Sequence, residues 1–246
     1  MAISQSYKAI STEFYDCIKP SALEKEILFY TSLLTGIQGP FLEAMCGSGR
    51  LLVPLVQFGY EIDGVDNSSA MLQQCAQRLH NQQLTANLYD QDIQYLSINK
   101  QYAVIIVAYG SFQLLYPKDN ALKALVSLKK HLQPGGLLVL DTFIPTDFIM
   151  SDTSNFYNRR LVKSGVETIE LVSRSYLDRN KQTFTSLNRY TKKSLDKIAI
   201  EEEERTTTWY EDAELHFLLQ QAGYTTITSQ NISFQAGDKS LIYTAR

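Results

Sequence analysis

Four residues with the chemistry of a nucleoside-binding site follow predicted strands in the first half of the chain. Gly47 and Gly49 lie directly after the first predicted strand, Asp66 ends the second and Asp92 follows the third. Glycine lets backbone N–H groups approach a ligand closely, and the helix N-terminus behind such a turn favours a carboxylate. An aspartate carboxylate accepts hydrogen bonds from ribose hydroxyls or from an adenine amino group. The spacing therefore predicts one nucleoside-shaped hollow, where the N–H of Ile93 donates to an adenine ring nitrogen.

The elements that position these residues alternate as strand, turn and helix from Pro40 onwards. This order is typical of a mostly parallel sheet covered by helices on both faces, whose ligand crevice lies beyond the carboxyl ends of the strands. Gln133-Pro134-Gly135-Gly136 is expected to separate the fifth strand from the helix before it. We expect an α/β fold, a doubly wound, Rossmann-like, mostly parallel seven-stranded sheet with a C-terminal antiparallel hairpin strand. Its first five strands are predicted at 41–45, 60–65, 87–89, 102–108 and 137–141.

The composition excludes several function classes. The 246 residues carry a formal charge of −3 and no run dense in Lys or Arg, so nucleic acid is not an expected partner. The three cysteines are far apart and the three histidines lack ligand spacing, so no disulfide framework and no metal site are expected. No window approaches the roughly 20 apolar residues of a membrane span. These features predict a cytoplasmic protein without membrane contact.

Two classes of nucleotide cofactor share the glycine turn and the acidic residue that follows it. A dinucleotide turn has a third small residue three positions after its second glycine. Leu52 occupies that position here, so the turn is not expected to bind a pyrophosphate. A dinucleotide-dependent oxidoreductase is kept as an alternative interpretation.

The residues around the strand ends form short motifs, namely Glu43-Ala44-Met45-Cys46-Gly47-Ser48-Gly49-Arg50, Gly64-Val65-Asp66-Asn67-Ser68, Asp92-Ile93 and Tyr109-Gly110-Ser111-Phe112. Together they resemble the class I S-adenosylmethionine-dependent methyltransferases, and most closely the small-molecule branch of glycine and sarcosine N-methyltransferases. Met45 departs from the family pattern, which often has a glycine there. The resemblance implies S-adenosylmethionine as cofactor and a set of cofactor-binding residues: Glu43, Cys46, Gly47, Ser48, Gly49, Asp66, Asn67, Met71, Asp92, Ile93 and Tyr109.

The resemblance also implies which part of the cofactor each group binds. Glu43 and the two glycines would surround the methionine portion, Asp66 would hold the ribose, and Asn67 and Met71 would flank the adenine. The carbonyl near Tyr109 would receive the methionine ammonium. Tyr15 would cover the cofactor from the N-terminal helix.

Methyl transfer by in-line displacement at a sulfonium depends chiefly on the positioning of the two reactants, so no strong acid or base is obligatory. Tyr109 and Tyr15 are the predicted catalytic residues, because a tyrosine hydroxyl can orient the acceptor. The expected acceptor is an amine or hydroxyl of a small molecule. No Asn-Pro-Pro-aromatic sequence follows the fourth strand, which argues against nucleobase amino groups and amide nitrogens. A non-catalytic cofactor-binding regulatory module is a second alternative.

Several other residues have two possible interpretations. Arg50 is expected either to reach the cofactor carboxylate or to be a solvated residue of the first helical turn. Ser111, Phe112 and Gln113 are expected near the transferred methyl group, and Asp141 is an even choice between site and core. The run 201–204, four consecutive glutamates, is expected on a solvent-exposed strand edge.

The chain is expected to form one domain over residues 1–246. Segments 168–177, 182–190 and 198–209 alternate polar and apolar residues, which predicts an inserted antiparallel β meander at the wall of the acceptor pocket. Aromatic residues of this meander (Tyr176, Tyr190, Trp209 and Tyr210) are equally suited to a dimer face, so either a monomer or a homodimer is expected. The predicted divisions are an N-terminal helical cap at 1–36, a cofactor-binding core at 37–145, the insertion at 155–209, and a final helix and hairpin at 210–246.

Overall fold

Helices and strands alternate in the first part of the chain, and long antiparallel strands follow. The computed structural model describes residues 7–235 and 240–246, so the first six residues of the predicted helical cap lie outside the described residues. The helices are α1 (Ala9–Ile18), α2 (Glu24–Leu34), α3 (Leu52–Gln57), α4 (Ser69–Asn81), α5 (Lys118–Lys130), α6 (Thr146–Ile149) and α7 (Asp212–Gln221). The strands are β1 (Phe41–Ala44), β2 (Ile62–Asp66), β3 (Leu88–Asp90), β4 (Tyr102–Val107), β5 (Leu132–Phe143), β6 (Asn155–Ser164), β7 (Glu167–Asp178), β8 (Thr183–Lys193), β9 (Ile198–Thr208), β10 (Ile227–Ile232) and β11 (Ser240–Ala245).

The central sheet has seven strands in the order β10-β11-β5-β4-β1-β2-β3. The pairs among β1 to β5 are parallel, whereas β11 pairs antiparallel with both β5 and β10. The strand order reverses between β1 and β4, which is where a ligand crevice is expected in a doubly wound sheet. The predicted α/β fold with a terminal antiparallel hairpin is confirmed.

Strand β4 shows why this sheet forms, because each of its six residues is buried. Ile105 and Val107 pack in the core layer that contains α5 and α7. Val104 and Ile106 point the other way, into the layer that contains α2, α3 and α4. A strand covered on both faces needs a continuous apolar run, and the sequence supplies one here.

Strand β5 begins earlier than predicted, at Leu132 instead of residue 137. Tyr102 pairs with Leu132, but Val104 pairs with Leu137, so the residues between form an irregularity in the β5 strand. Gly135 within it has φ +76°, a conformation that glycine adopts without strain. The Pro-Gly-Gly stretch therefore lies within the strand as a bulge, where the missing proline N–H is tolerated.

The inserted sheet has four antiparallel strands in the order β6-β7-β8-β9. The alternating segments of the sequence correspond to β7, β8 and β9, but they do not include β6. Strand β6 is an edge strand with most of its residues exposed, so it lacks a buried face that would produce alternation.

Helix α1 lies against the inserted sheet, and Glu201, one of the four consecutive glutamates, takes part in this contact. Glu201 accepts hydrogen bonds from the N–H groups of Ile10 and Ser11, both at 2.9 Å, at the start of the helix. Glu203 is buried and hydrogen-bonded to other residues of the sheet. Strand β9 is an edge strand, as expected, but the expected solvent exposure is wrong for Glu201, which binds the start of α1, and for Glu203, which is buried within the sheet.

The aromatic residues suggested for a dimer face are mostly inside the chain. Tyr190, Trp209 and Tyr210 are each 3% exposed, and only Tyr176 of the four remains exposed, at 46%. Tyr190 packs on Phe14 of α1, with ring centroids 5.4 Å apart. The dimer-face interpretation of the three buried rings is thus wrong. Within the described residues, no helix combines the length and apolar character needed to traverse a bilayer.

Candidate active site

A cavity of about 460 Å³ opens at the carboxyl ends of the parallel strands. Most of the predicted site residues line it: Tyr15, Glu43, Cys46, Gly47, Ser48, Asp66, Asn67, Met71, Asp92 and Tyr109. Gly49 and Ile93 do not line the cavity. The side chain of Ile93 is 3% exposed and packs in the core, and Gly49 faces helix α4.

The turn after β1 has three residues with positive φ. Met45, Gly47 and Gly49 have φ values of 60°, 55° and 79°. A Cβ on Gly49 would lie 2.6 Å from Cys75 Sγ, so this position has no room for a side chain. Met45 adopts the same left-handed region with a side chain, at a position where a glycine would be unstrained. Backbone strain is therefore concentrated at the wall of the cavity.

Asp66 stands at the end of β2, and its carboxylate organises the same turn. Oδ2 accepts the N–H of Gly47 at 2.8 Å, and Oδ1 accepts the N–H of Ser68 at 2.9 Å. Burial raises the pKa of Asp66 to about 6, against the opposing effect of these backbone hydrogen bonds. Each carboxylate oxygen has a further lone pair with which to accept from a ligand.

Asp92 caps the short 3₁₀ turn Ile93–Tyr95 that follows β3. Its Oδ1 accepts the N–H of Gln94 at 2.9 Å, and the Gln94 side-chain amide donates to both carboxylate oxygens at 3.1 and 3.0 Å. Asp92 and Gln94 both line the cavity. A polar ligand group beside Asp92 could therefore hydrogen-bond to both side chains, which are joined to each other.

Glu43 lies on β1 beneath the cavity and is buried. Its Oε2 has no hydrogen-bond partner among the described residues. Burial raises the pKa of Glu43 well above its usual range, and the nearby Arg50 opposes that shift. An unpaired buried carboxyl that faces a cavity is a candidate partner for a cationic ligand group.

Arg50 is buried, with a side chain 6% exposed, so the expectation of a solvated first-turn arginine is wrong. Its two terminal nitrogens bind the Glu26 carboxylate at 2.8 and 2.5 Å. The guanidinium also lies 3.9 Å from the ring centroid of Tyr109. Arg50 therefore connects helix α2 to the cavity wall.

Tyr109 follows β4 and is held in an unusual backbone conformation. Its φ is 58°, and its N–H donates to Asp141 Oδ2 at 3.0 Å. Asp141 is buried at the end of the neighbouring strand, where it fixes this turn. The Tyr109 side chain is 40% exposed within the open cavity.

The three residues after this turn have different roles. Ser111 lines the cavity, whereas Phe112 is fully buried in the core. Gln113 is also buried, and its side-chain amide bonds the main chain of Phe143 and Thr208. The expectation that Phe112 and Gln113 lie at the transferred methyl group is therefore wrong, because both side chains point into the packed interior.

Several lining residues were missed in the sequence. Tyr7 precedes α1, Arg205 and Thr207 lie on β9, and Phe143 ends β5. Asp16 adds an indirect contact, since it accepts a hydrogen bond from Ser48 Oγ at 2.6 Å. No local motif marks these residues, because they reach the cavity from segments far away in sequence.

The comparisons with known proteins agree with this geometry. Residues 41–136 match the family model described as a methyltransferase domain. The putative methyltransferase YqeM of Bacillus subtilis is 25% identical over 104 residues, which are 42% of this chain and 42% of that protein. The match thus spans less than half of the curated relative.

Solved structures show the same fold over nearly the whole chain. The sugar N-methyltransferase KedS8 from a Streptoalloteichus species superposes with a TM-score of 0.77 and 15% identity, covering 100% of this chain and 97% of that one. CalS10, an amino pentose methyltransferase from Micromonospora echinaspora solved with bound S-adenosylmethionine, has a TM-score of 0.71 and 17% identity, with 99% of each chain covered. Residues 41–136 therefore match a methyltransferase domain, and nearly the whole chain has the fold of these S-adenosylmethionine-dependent methyltransferases.

Proposed function

We propose that this chain transfers a methyl group from S-adenosylmethionine to an amine of a small polar molecule, with an amino sugar as the favoured acceptor. The observation that carries the proposal is a single cavity lined both by the glycine turn with Asp66 and by aromatic and polar residues of other elements. The sugar specificity named for KedS8 and CalS10 supports the acceptor class.

The described residues fit the cofactor. The unpaired Oε2 of Glu43 suits the methionine ammonium, and Asp66 retains lone pairs for the ribose hydroxyls. Asn67 and Met71 line the part of the cavity assigned to adenine, and Asp92 with Gln94 supplies polar groups there. When bound, S-adenosylmethionine supplies a methyl group on a sulfonium.

The acceptor side of the cavity is formed by aromatic and neutral polar side chains. Tyr109, Tyr116 and Phe143 are 40%, 40% and 38% exposed, so part of each side chain is open to a ligand. Asn120 and Thr207 lie among them. Aromatic faces cover the apolar faces of a saturated ring, while polar side chains bind its hydroxyls, so the lining suits a sugar.

The work of the protein in this reaction is to orient two reactants. Well-oriented reactants lower a barrier by ~7 to 11 kcal/mol. A neutral amine has the lone pair that attacks the methyl carbon, and the tyrosines at the cavity, including Tyr15 and Tyr109, can hold that amine by hydrogen bonds. Leu52 is fully buried at the position where a dinucleotide turn has its third small residue, which favours this function over dinucleotide chemistry.

Calorimetric titration with S-adenosylhomocysteine tests the cofactor assignment. We expect binding by the wild type and at least tenfold weaker binding by Asp66→Ala, since a charged hydrogen-bond partner contributes about 1.5–3 kcal/mol. Asp119→Ala, in the first turn of α5 and outside the cavity, is the matched control. Equal affinity of the wild type and Asp66→Ala would contradict the site assignment.

Transfer of a labelled methyl group tests the acceptor class. Glucosamine and related amino sugars are expected to be methylated, whereas the same sugars with a hydroxyl in place of the amine are not. Transfer to the hydroxyl sugars would shift the proposal to O-methylation. Cofactor binding without transfer to any of them would favour a non-catalytic cofactor-binding module.

A further inference from the structure

Tyr7 contacts both the cofactor side of the cavity and the inserted sheet. Its main-chain carbonyl accepts a hydrogen bond from Ser68 Oγ at 2.6 Å, two residues after Asp66. Its hydroxyl accepts a hydrogen bond from Arg205 Nη1 at 2.9 Å, and the Arg205 guanidinium lies 3.8 Å from the centre of the ring. Because both ends of Tyr7 are held, its hydroxyl has a fixed position at the cavity.

Arg205 is in turn fixed by Glu203. Arg205 Nη2 lies 2.5 Å from Glu203 Oε1, and that oxygen also accepts from the hydroxyl of Tyr190 at 2.9 Å and from the Asn188 amide at 3.1 Å. The Glu203 side chain is 1% exposed. These hydrogen bonds hold the Glu203 carboxylate, and the carboxylate in turn holds the Arg205 guanidinium. Breaking the buried pair is costly, because loss of either partner leaves an uncompensated charge.

Tyr7 lines the same cavity as the residues proposed to bind the cofactor and the acceptor. Tyr7, Asp66 and Tyr109 all line this cavity, and burial raises the pKa of Tyr7 against the opposing charge of Arg205. The ring also packs edge-to-face on Tyr15, with centroids 5.5 Å apart. Tyr7 therefore shares the cavity with Asp66, which is proposed to hold the ribose, and packs on Tyr15, which is proposed to cover the cofactor.

Tyr7 differs from the other cavity tyrosines in the state of its hydroxyl. Within residues 7–235 and 240–246, the hydroxyls of Tyr15, Tyr109 and Tyr116 have no hydrogen-bond partner, whereas that of Tyr7 accepts from Arg205. A phenol that accepts one hydrogen bond retains a second lone pair. That lone pair can accept an N–H of an amine, and the bond strengthens as the nitrogen becomes positive in the transition state.

We propose that Tyr7 is a catalytic residue that accepts a hydrogen bond from the acceptor amine, and that Arg205 and Glu203 are positioning residues that hold its hydroxyl. This inference rests on the proposed function. In the step, the bond from the methyl carbon to sulfur breaks as the bond to nitrogen forms. The sulfonium becomes a neutral thioether and the amine becomes an ammonium, which later loses its proton to water. Tyr7 keeps its proton throughout.

Sinefungin tests this inference without knowledge of the natural acceptor. It has an amine where S-adenosylmethionine has the transferred methyl group, whereas S-adenosylhomocysteine has nothing at that point. By calorimetry, Tyr7→Phe is expected to weaken sinefungin about ten- to hundredfold, because one hydrogen bond to a charged group is lost. The affinity for S-adenosylhomocysteine should change by no more than about twofold.

Two further sets of variants complete the experiment. Tyr60→Phe is the matched control, because its hydroxyl donates to the Thr31 carbonyl at 3.1 Å outside the cavity, and it should bind both ligands as the wild type does. Arg205→Lys should retain more of the preference for sinefungin than Arg205→Met, provided that both still bind S-adenosylhomocysteine.

Three results would overturn the inference. Unchanged sinefungin affinity in Tyr7→Phe would show that the hydroxyl does not meet an amine. Equal weakening of both ligands would show that Tyr7 supports the cofactor or the fold in general. Failure of the wild type to bind S-adenosylhomocysteine would overturn the proposed function together with this inference, and is distinguishable from the first two results.

Discussion

At the scale of the residue, Asp66 is buried, yet its proposed role in binding ribose requires an ionised carboxylate. Burial favours the protonated form and raises its pKa to about 6, while two backbone N–H groups favour the charged form. Ribose hydroxyls donate to a carboxylate best when it is ionised. The ligand should therefore bind the ionised form of Asp66, and proton binding should compete with it.

The affinity for S-adenosylhomocysteine is accordingly expected to depend on pH. It should be constant above the pKa of about 6 and fall by up to about tenfold per pH unit below it, because protonation removes the competent carboxylate. Calorimetry from pH 5 to pH 8 measures this dependence. Asp66→Asn should bind weakly and lose the slope between these values.

The raised pKa of Asp66 has the opposite effect on the stability of the fold. Ligand affinity is expected to increase with pH, whereas stability is expected to decrease. Between the ordinary aspartate value of about 3.9 and about 6, the folded chain holds a proton that the unfolded chain has lost. The contribution of Asp66 to stability therefore decreases as pH rises through this window.

The prediction about ligand affinity has its own contradicting outcome. A pH slope of ligand affinity that persists unchanged in Asp66→Asn would show that another group titrates.

At the scale of the element, the turn between β1 and α3 must bring backbone N–H groups to the cavity. Gly47 N–H reaches Asp66, and Gly49 packs against helix α4, where a Cβ would lie 2.6 Å from Cys75 Sγ and 3.0 Å from Val53 Cγ2. Gly49 thus acts through close packing, and Gly47 through the hydrogen bond from its amide to Asp66. The two positions of the motif therefore require glycine for different physical reasons.

Gly49→Ala is expected to destabilise the fold more than Gly59→Ala. Both glycines have positive φ, at 79° and 89°, so both variants carry the backbone strain of an alanine, about 1–2 kcal/mol. Only Gly49 lacks room for a Cβ, since Gly59 has nothing within 4 Å of the added atom. Overpacking should add about 1–3 kcal/mol to the Gly49→Ala loss.

Urea unfolding followed by circular dichroism measures this difference in the free energy of unfolding. Because the backbone strain is matched, the excess loss in Gly49→Ala reports the contact with α4. Equal losses in the two variants would mean that helix α4 moves away without cost.

At the scale of the whole molecule, the N-terminal helices join the separate parts of the site. Phe14 of helix α1 packs on the inserted sheet, and the start of α1 donates to Glu201 of that sheet. Asp16 of α1 accepts a hydrogen bond from Ser48 in the glycine turn and pairs with Arg78 of α4 at 2.7 Å. Helix α2 contributes Glu26, the buried partner of Arg50. Segments that precede the central sheet in sequence therefore contribute to the walls of a cavity whose base is formed by the strand ends.

The Glu26–Arg50 pair offers a test of this assembly. With side chains 2% and 6% exposed, removal of one partner leaves a buried charge, so Glu26→Leu and Arg50→Met should each lose about 3–5 kcal/mol of stability. The double variant should be more stable than either single one, since neither charge remains. A double-mutant cycle of urea unfolding gives the coupling energy, and simple additivity of the two losses would contradict a tight pair.

Local patterns in the sequence were sufficient for the central sheet and for much of the site. The buried run of β4 and the alternation of β7 to β9 are properties of neighbouring residues, and they predicted the elements. Asp66 and the glycine turn were found because parallel strands deliver their carboxyl ends to one edge, so residues after each strand become neighbours. The single-domain boundaries and the roles of the individual site residues stay predictions.

The remaining features depend on contacts that no local pattern contains. Tyr7 and Arg205 are 198 positions apart and meet only because α1 packs on the inserted sheet. Glu203 is buried among the residues of the inserted sheet that hydrogen-bond to it, and Arg50 is buried against Glu26 of α2. Sequence spacing specifies which residues share a strand end or a helix face, whereas the burial and pairing of charges are set by elements that meet across the fold.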